Sequence, residues 1–82
     1  MEIFVNSYKA LYKAISAPEA DVEDFQRWME ISVNACKAIA EILTDKNLPR
    51  SKKYNLETSL GYFIGIQLEL ADKIKQGGEL TQ

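Results

Sequence analysis

Few residues in this sequence could support covalent or acid–base chemistry. Cys36 is the single cysteine and there is no histidine, so nucleophilic catalysis by a Cys/His pair and Cys/His metal binding are excluded. The twelve acidic residues include no Glu-x-x-His motif of the kind that binds metal in helical bundles. Cys36 lies in an apolar stripe of a predicted helix, which is typical of a buried, unreactive thiol. We therefore expect no enzymatic activity and no cofactor.

Two clusters of charged residues are the clearest candidates for a binding function. The basic cluster holds Lys46, Arg50, Lys52 and Lys53. The acidic cluster holds Glu19, Asp21, Glu23 and Asp24. A helix between the clusters would give the molecule an acidic and a basic pole, and the basic cluster is our predicted partner-binding site. The alternative is a solvated loop whose charges only complement the dipole of the preceding helix.

Composition and charge exclude several classes of protein. Ten basic and twelve acidic residues give a formal charge of −2, so nucleic-acid binding is not expected. The longest hydrophobic stretch, Tyr62–Ile66, is too short to span a membrane. Residues 1–6 lack the basic start and long apolar core of a signal peptide. The sequence therefore predicts a cytoplasmic protein of one domain, residues 1–82, without an internal disulfide.

The spacing of apolar residues predicts three helices, at about residues 2–16, 19–44 and 53–76, and a frayed tail at 77–82. Ser16-Ala17-Pro18-Glu19 has the form of a capping box for the second helix, and Asp21–Asp24 offers a second possible start. Asn55 is a plausible cap for the third helix, which we expect Gly77-Gly78 to end. A strand over Leu60–Leu70 is the alternative there, because β-favouring residues and two glycines occur.

These elements predict an all-α fold, an up-down-up bundle of one short and two long amphipathic helices. The main apolar stripe of the third helix includes Leu56, Phe63 and Leu70, and Ile64, Leu68 and Ala71 flank it. The first helix is too short to cover both longer helices, so we expect a dimer or higher oligomer. The predicted interface consists of Trp28, Ile31, Ile42, Gly61, Tyr62, Gly65 and Ile66.

Two further pairs of residues stand out within the predicted helices. Gly61 and Gly65 have the small-xxx-small spacing that favours a close helix crossing inside the bundle, or else a subunit contact or a ligand concavity. Ser32 and Gln67 are polar members of apolar stripes. Ser32 would bond to its own helix and Gln67 would lie at the core edge, or both would fix the register between helices or subunits.

The predicted function is that of a non-catalytic, protein-binding regulator: an inhibitor, adaptor or immunity-type factor of the kind that bacteria and phages encode. It follows from the lack of catalytic groups, the surplus of apolar helix surface and the separated charges. One alternative is an oligomer that binds small anions such as nucleotides at the basic cluster. A second is a helical hairpin like those of secretion chaperones. Bacteriocin immunity proteins and phage inhibitors share the size and helical class, but no motif selects among these possibilities.

Overall fold

The computed structural model describes the backbone of residues 2–80 and the side chains of residues 2–77. Within the described backbone the chain is all-helical, and three helices pack together: α1 (Glu2–Ile15), α2 (Val22–Leu43) and α3 (Arg50–Leu80). The all-α prediction is therefore confirmed. The last two residues of the predicted frayed tail lie outside the described part of the chain.

The short helix α1 runs beside the first half of α3, in the same direction. The Tyr8 ring stacks on Tyr62 with centroids 4.6 Å apart and meets the edge of Phe63 at 6.0 Å. Four residues further along α1, the Tyr12 hydroxyl lies beside Gly65. Since contacts advance together along both helices, α1 and α3 are parallel.

The two long helices form an antiparallel hairpin that holds most of the core. Val22, at the start of α2, contacts Gly77 near the end of α3, whereas Ser32 contacts Phe63. The order of the helices is thus up, down, up, as predicted. The buried apolar residues are Leu11, Ile15, Ile39, Leu56, Phe63, Ile66 and Leu70.

The buried face of α3 differs from the predicted one on one flank. Ile64, Leu68 and Ala71 were expected beside the core but are exposed, while Ser59 and Ile66 on the opposite flank are buried. The reason is the position of α1, which packs on the Tyr62 side of α3 and leaves the other side open to solvent. The alternative prediction of a β-strand over Leu60–Leu70 is wrong, because α3 is helical throughout.

Helix α2 begins at the second of its two possible starts. The carboxylate of Asp21 accepts a hydrogen bond from the backbone N–H of Asp24 at 3.0 Å, and the Asp24 carboxylate accepts from the N–H of Asp21 at 3.3 Å. This reciprocal pair is a capping box, so the predicted start at residue 19 with a Ser16 cap is wrong. The Ser16 hydroxyl instead donates to the Tyr12 carbonyl and belongs to the end of α1.

Helix α3 is longer than predicted at both ends. It begins at Arg50 rather than residue 53, because the Pro49 carbonyl accepts a hydrogen bond from the N–H of Lys53 at 2.9 Å. Asn55 therefore lies inside the helix. At the other end α3 continues past Gly77, since no described glycine takes the positive φ that would end a helix. Gly77 serves packing instead: a Cβ there would overlap the Val22 side chain.

The bundle is elongated, with principal extents of 51 × 19 × 14 Å. None of its described helices combines the length and apolar character needed to cross a lipid bilayer.

Candidate functional site

The four predicted partner-binding cations lie together at one end of the bundle, which we call the basic end (Lys46, Arg50, Lys52 and Lys53). All four are exposed. Lys46 lies in the loop after α2, but the other three lie in the first turn of α3, which contains no acidic residue. The N-terminus of a helix carries a partial positive charge, so cations there are disfavoured. Arg50, Lys52 and Lys53 therefore do not lie in a loop, although they are exposed as the solvated alternative expects.

No intramolecular ion pair offsets this repulsion in the part of the chain that the structure describes. The ion pair found there joins Arg27 to Asp24, 3.6 Å apart, near the other end of α2. Tyr54 directly follows the basic end and is 71% exposed. Tyrosine and arginine are enriched at protein–protein interfaces. The basic end thus combines exposed cations with an exposed aromatic ring.

The acidic cluster lies at the opposite end of α2. Glu23 and Asp24 occupy the first turn of α2, where they complement the helix dipole, and Asp21 caps the helix. The 22 residues of α2 separate the two clusters by about 33 Å at 1.5 Å per residue. The charges are thus distributed between the two ends of the bundle.

A small polar cluster joins α2 to α3 at the middle of the hairpin. The buried Ser32 hydroxyl donates to the Phe63 carbonyl at 3.1 Å. The Gln67 side-chain amide donates to Ser32 Oγ and to Cys36 Sγ, each at 3.1 Å. Ser32 therefore bonds to α3 rather than to its own helix, and the contact between α2 and α3 that the register hypothesis requires is present.

Burial, rather than the polar cluster, disfavours the thiolate form of Cys36. Burial raises the pKa of the thiol, and the hydrogen bond from Gln67 lowers it by less. A raised pKa keeps the thiol protonated near neutral pH, and the protonated form is unreactive. In this arrangement the three side chains can fix the register of two helices, but they offer no general base.

The predicted interface residues do not form one surface. Ile66 is wholly buried in the core, so its place at a subunit interface is wrong. Trp28 and Ile42 are half-buried, and the Trp28 ring meets the edge of Phe25 at 5.8 Å. Ile31 and Tyr62 are each 45% exposed, and Tyr62 packs on α1 rather than standing free.

The two glycines of α3 have different surroundings. A Cβ at Gly65 would lie 3.5 Å from the Tyr12 hydroxyl, which is ordinary contact with α1. A Cβ at Gly61 would have no neighbour within 4 Å. The prediction of a close helix crossing inside the bundle is therefore wrong for Gly61. A glycine in the middle of a helix lowers stability by about 1 kcal/mol relative to alanine.

A groove of about 530 Å³ lies between α1 and the first half of α3. Tyr8, Tyr54, Asn55 and Thr58 are among its lining residues, whereas the cations of the basic end are not. The described residues hold no group of three or more His, Cys, Asp or Glu side chains that could bind a metal ion. The groove can thus offer hydrogen bonds and aromatic surface.

Among the described residues, five large exposed apolar or aromatic side chains lie outside the predicted interface: Ile3, Tyr12, Tyr54, Ile64 at 47% and Leu68 at 70% exposure. The apolar spacing of α3 could have revealed the last two, because a second series at intervals of three and four runs beside the core stripe. The side of α3 that α1 covers could not be read from that spacing alone.

Comparison of the chain with protein-family models, with curated proteins and with solved structures finds no match. The function must therefore be inferred from the arrangement of this chain's own residues.

Proposed function

We propose that this protein is a non-catalytic regulator, an inhibitor, adaptor or immunity-type factor, that uses its basic end to bind an acidic surface of a partner protein. The observation that carries the proposal is the first turn of α3. Arg50, Lys52 and Lys53 lie where the helix dipole disfavours cations, and all are exposed. Charges that oppose stability at a free surface are typical of residues retained for binding.

The composition of the basic end favours a protein partner. Tyr54 adds a large exposed ring next to the cations, and such a ring gains several contacts when a partner covers it. The four cations lie at the opposite end of α2 from the acidic cluster of the same chain. We propose further that the protein works as a dimer or higher oligomer, because Leu68 and other apolar side chains stay exposed in the single chain.

The test is a comparison of proteins captured from native lysate by three immobilised forms of the chain. The wild-type chain is compared with the double variant Lys52→Glu, Lys53→Glu. The control, Lys9→Glu with Lys37→Glu, makes the same change in net charge at two exposed mid-helix positions. We expect at least one protein that the wild type and the control retain and the basic-end variant loses. Identical captured sets for all three forms would contradict the proposal.

Small-anion binding is the second candidate, because a helix N-terminus with nearby cations favours anions. A melting scan against a panel of nucleotides separates the two. Stabilisation by a nucleotide that disappears in the Lys52→Glu, Lys53→Glu variant would favour the anion binder. An unchanged melting temperature with every nucleotide is the result expected for a protein-binding regulator.

A further inference from the structure

A second series of residues runs along α3 on the side that faces solvent. Its members are spaced four, three, four, three and four residues apart: Glu57, Gly61, Ile64, Leu68, Ala71 and Lys75. All six are exposed, and we call them the outer stripe. Alternation of three and four is the spacing with which one helix packs along another. Neither α1 nor α2 occupies this side of α3.

Gly61 lies in the outer stripe at a position that has open space around it. Glycine is disfavoured in the middle of a helix relative to alanine, and no atom lies within 4 Å of the position of a Cβ at Gly61. The interior of this chain therefore gives no reason for a glycine there. A helix backbone packed against the stripe would supply one, because glycine permits a shorter distance between two helices.

The order of residues in the outer stripe makes it complementary to itself when reversed. Consider a second copy whose α3 runs antiparallel, with a two-fold axis midway between Ile64 and Leu68. Ile64 of each copy then meets Leu68 of the other, and Gly61 meets Ala71. Glu57 meets Lys75 at both ends, so opposite charges flank an apolar centre.

We propose that the outer stripe is the interface of a homodimer in which the two α3 helices pack antiparallel. This inference specifies the oligomer proposed above and rests on that part of the proposed function. A parallel pair would place Glu57 against Glu57 and Lys75 against Lys75, which like-charge repulsion disfavours. The antiparallel pair also directs the basic end of each copy toward the acidic end of its twin. The two basic ends lie far apart from each other.

The first test measures mass by light scattering at micromolar concentration. We expect about twice 9.3 kDa for the wild type, and for Leu68→Glu a fall to the monomer mass at a concentration about tenfold higher or more than the wild type requires on dilution, because its dissociation constant rises. The control is Ile3→Glu on α1, since Ile3 is 69% exposed and Leu68 is 70% exposed. A monomeric wild type would overturn both the oligomer and the interface. A dimer that survives Leu68→Glu would overturn the interface and leave the oligomer standing.

The second test fixes the direction of the helices by cross-linking in a Cys36→Ser background. A mixture of the single variants Glu57→Cys and Lys75→Cys should form a disulfide-linked dimer on mild oxidation. Glu57→Cys alone should not, because the antiparallel arrangement separates the two copies of position 57 by about 27 Å. Efficient cross-linking of Glu57→Cys with itself, or none in the mixture, would overturn the antiparallel pair.

Discussion

At the scale of single residues, the contact between Ser32 and Phe63 shows how polar atoms can fix the packing of two helices. A buried hydroxyl in an apolar stripe needs a partner, and the carbonyl of Phe63 and the amide of Gln67 both supply one. The sequence could predict that Ser32 faces the core. It could not predict this bond, because the acceptor is a backbone atom 31 residues away that carries no signature in the sequence.

Replacement of the Ser32 hydroxyl should therefore lower the free energy of unfolding by more than the loss of so small a group suggests. We expect Ser32→Ala to lower the free energy of unfolding by about 1–3 kcal/mol, because buried polar atoms lose their partner. Ser7→Ala is the control, since the Ser7 hydroxyl bonds only to the Ile3 carbonyl of its own helix at an exposed site. Urea unfolding at equal protein concentrations measures both. An effect of Ser32→Ala no larger than that of Ser7→Ala would contradict the packing role.

The raised pKa of the Cys36 thiol predicts how the stability of the fold and the alkylation rate depend on pH. Its pKa is raised in the folded chain, mainly by burial, so the protonated thiol is favoured by folding. This contribution to stability is complete below the ordinary thiol pKa and is lost as pH rises through the raised pKa. Alkylation of the folded protein should accordingly reach its half-maximal rate at a higher pH than alkylation in urea. Equal midpoints, or a lower one for the folded protein, would contradict the burial effect.

At the scale of helices, the apolar spacing predicted which segments are helical better than it predicted where they end. The first helix starts and stops almost as expected, whereas α2 starts at Val22 and α3 extends to Leu80. Two capping motifs compete near the start of α2, and nothing local decides between them. Gly77-Gly78 resembles a helix end, but contact with Val22 requires a glycine at Gly77 for packing. At Gly77 a tertiary contact thus overrides the local signal, whereas at the start of α2 one local cap prevails over another.

The cap of α2 can be tested by removing one side chain. Asp21→Ala should lower the free energy of unfolding by about 1 kcal/mol, because the N–H of Asp24 loses its acceptor. Ser16→Ala removes the cap of the alternative start and should cost clearly less. Thermal or urea unfolding of the two variants compares them directly. The larger loss from Ser16→Ala would place the start of α2 where the Ser-x-x-Glu motif predicts it.

At the scale of the whole molecule, the basic end and the acidic end are not equivalent. Acidic residues at the start of α2 stabilise that helix, whereas cations at the start of α3 oppose it. The sequence predicted both clusters and their separation. It placed the basic cluster in a loop, however, because Pro49 indicated a break and the polar run after it hid the first turn of α3. The position of these cations against the helix dipole became apparent only with the bounds of the helix.

Unfolding experiments can test whether the cations of the basic end oppose the stability of the chain. The free energy of unfolding is measured in urea, at low ionic strength and equal protein concentration, for the wild type, for Lys52→Glu with Lys53→Glu, and for the control Lys9→Glu with Lys37→Glu. If the basic end is retained for binding rather than for folding, its variant should be more stable than the wild type by about 1 kcal/mol, and the gain should shrink in high salt. The control should show no such gain. A basic-end variant that is no more stable than the wild type, or less stable, would contradict the account.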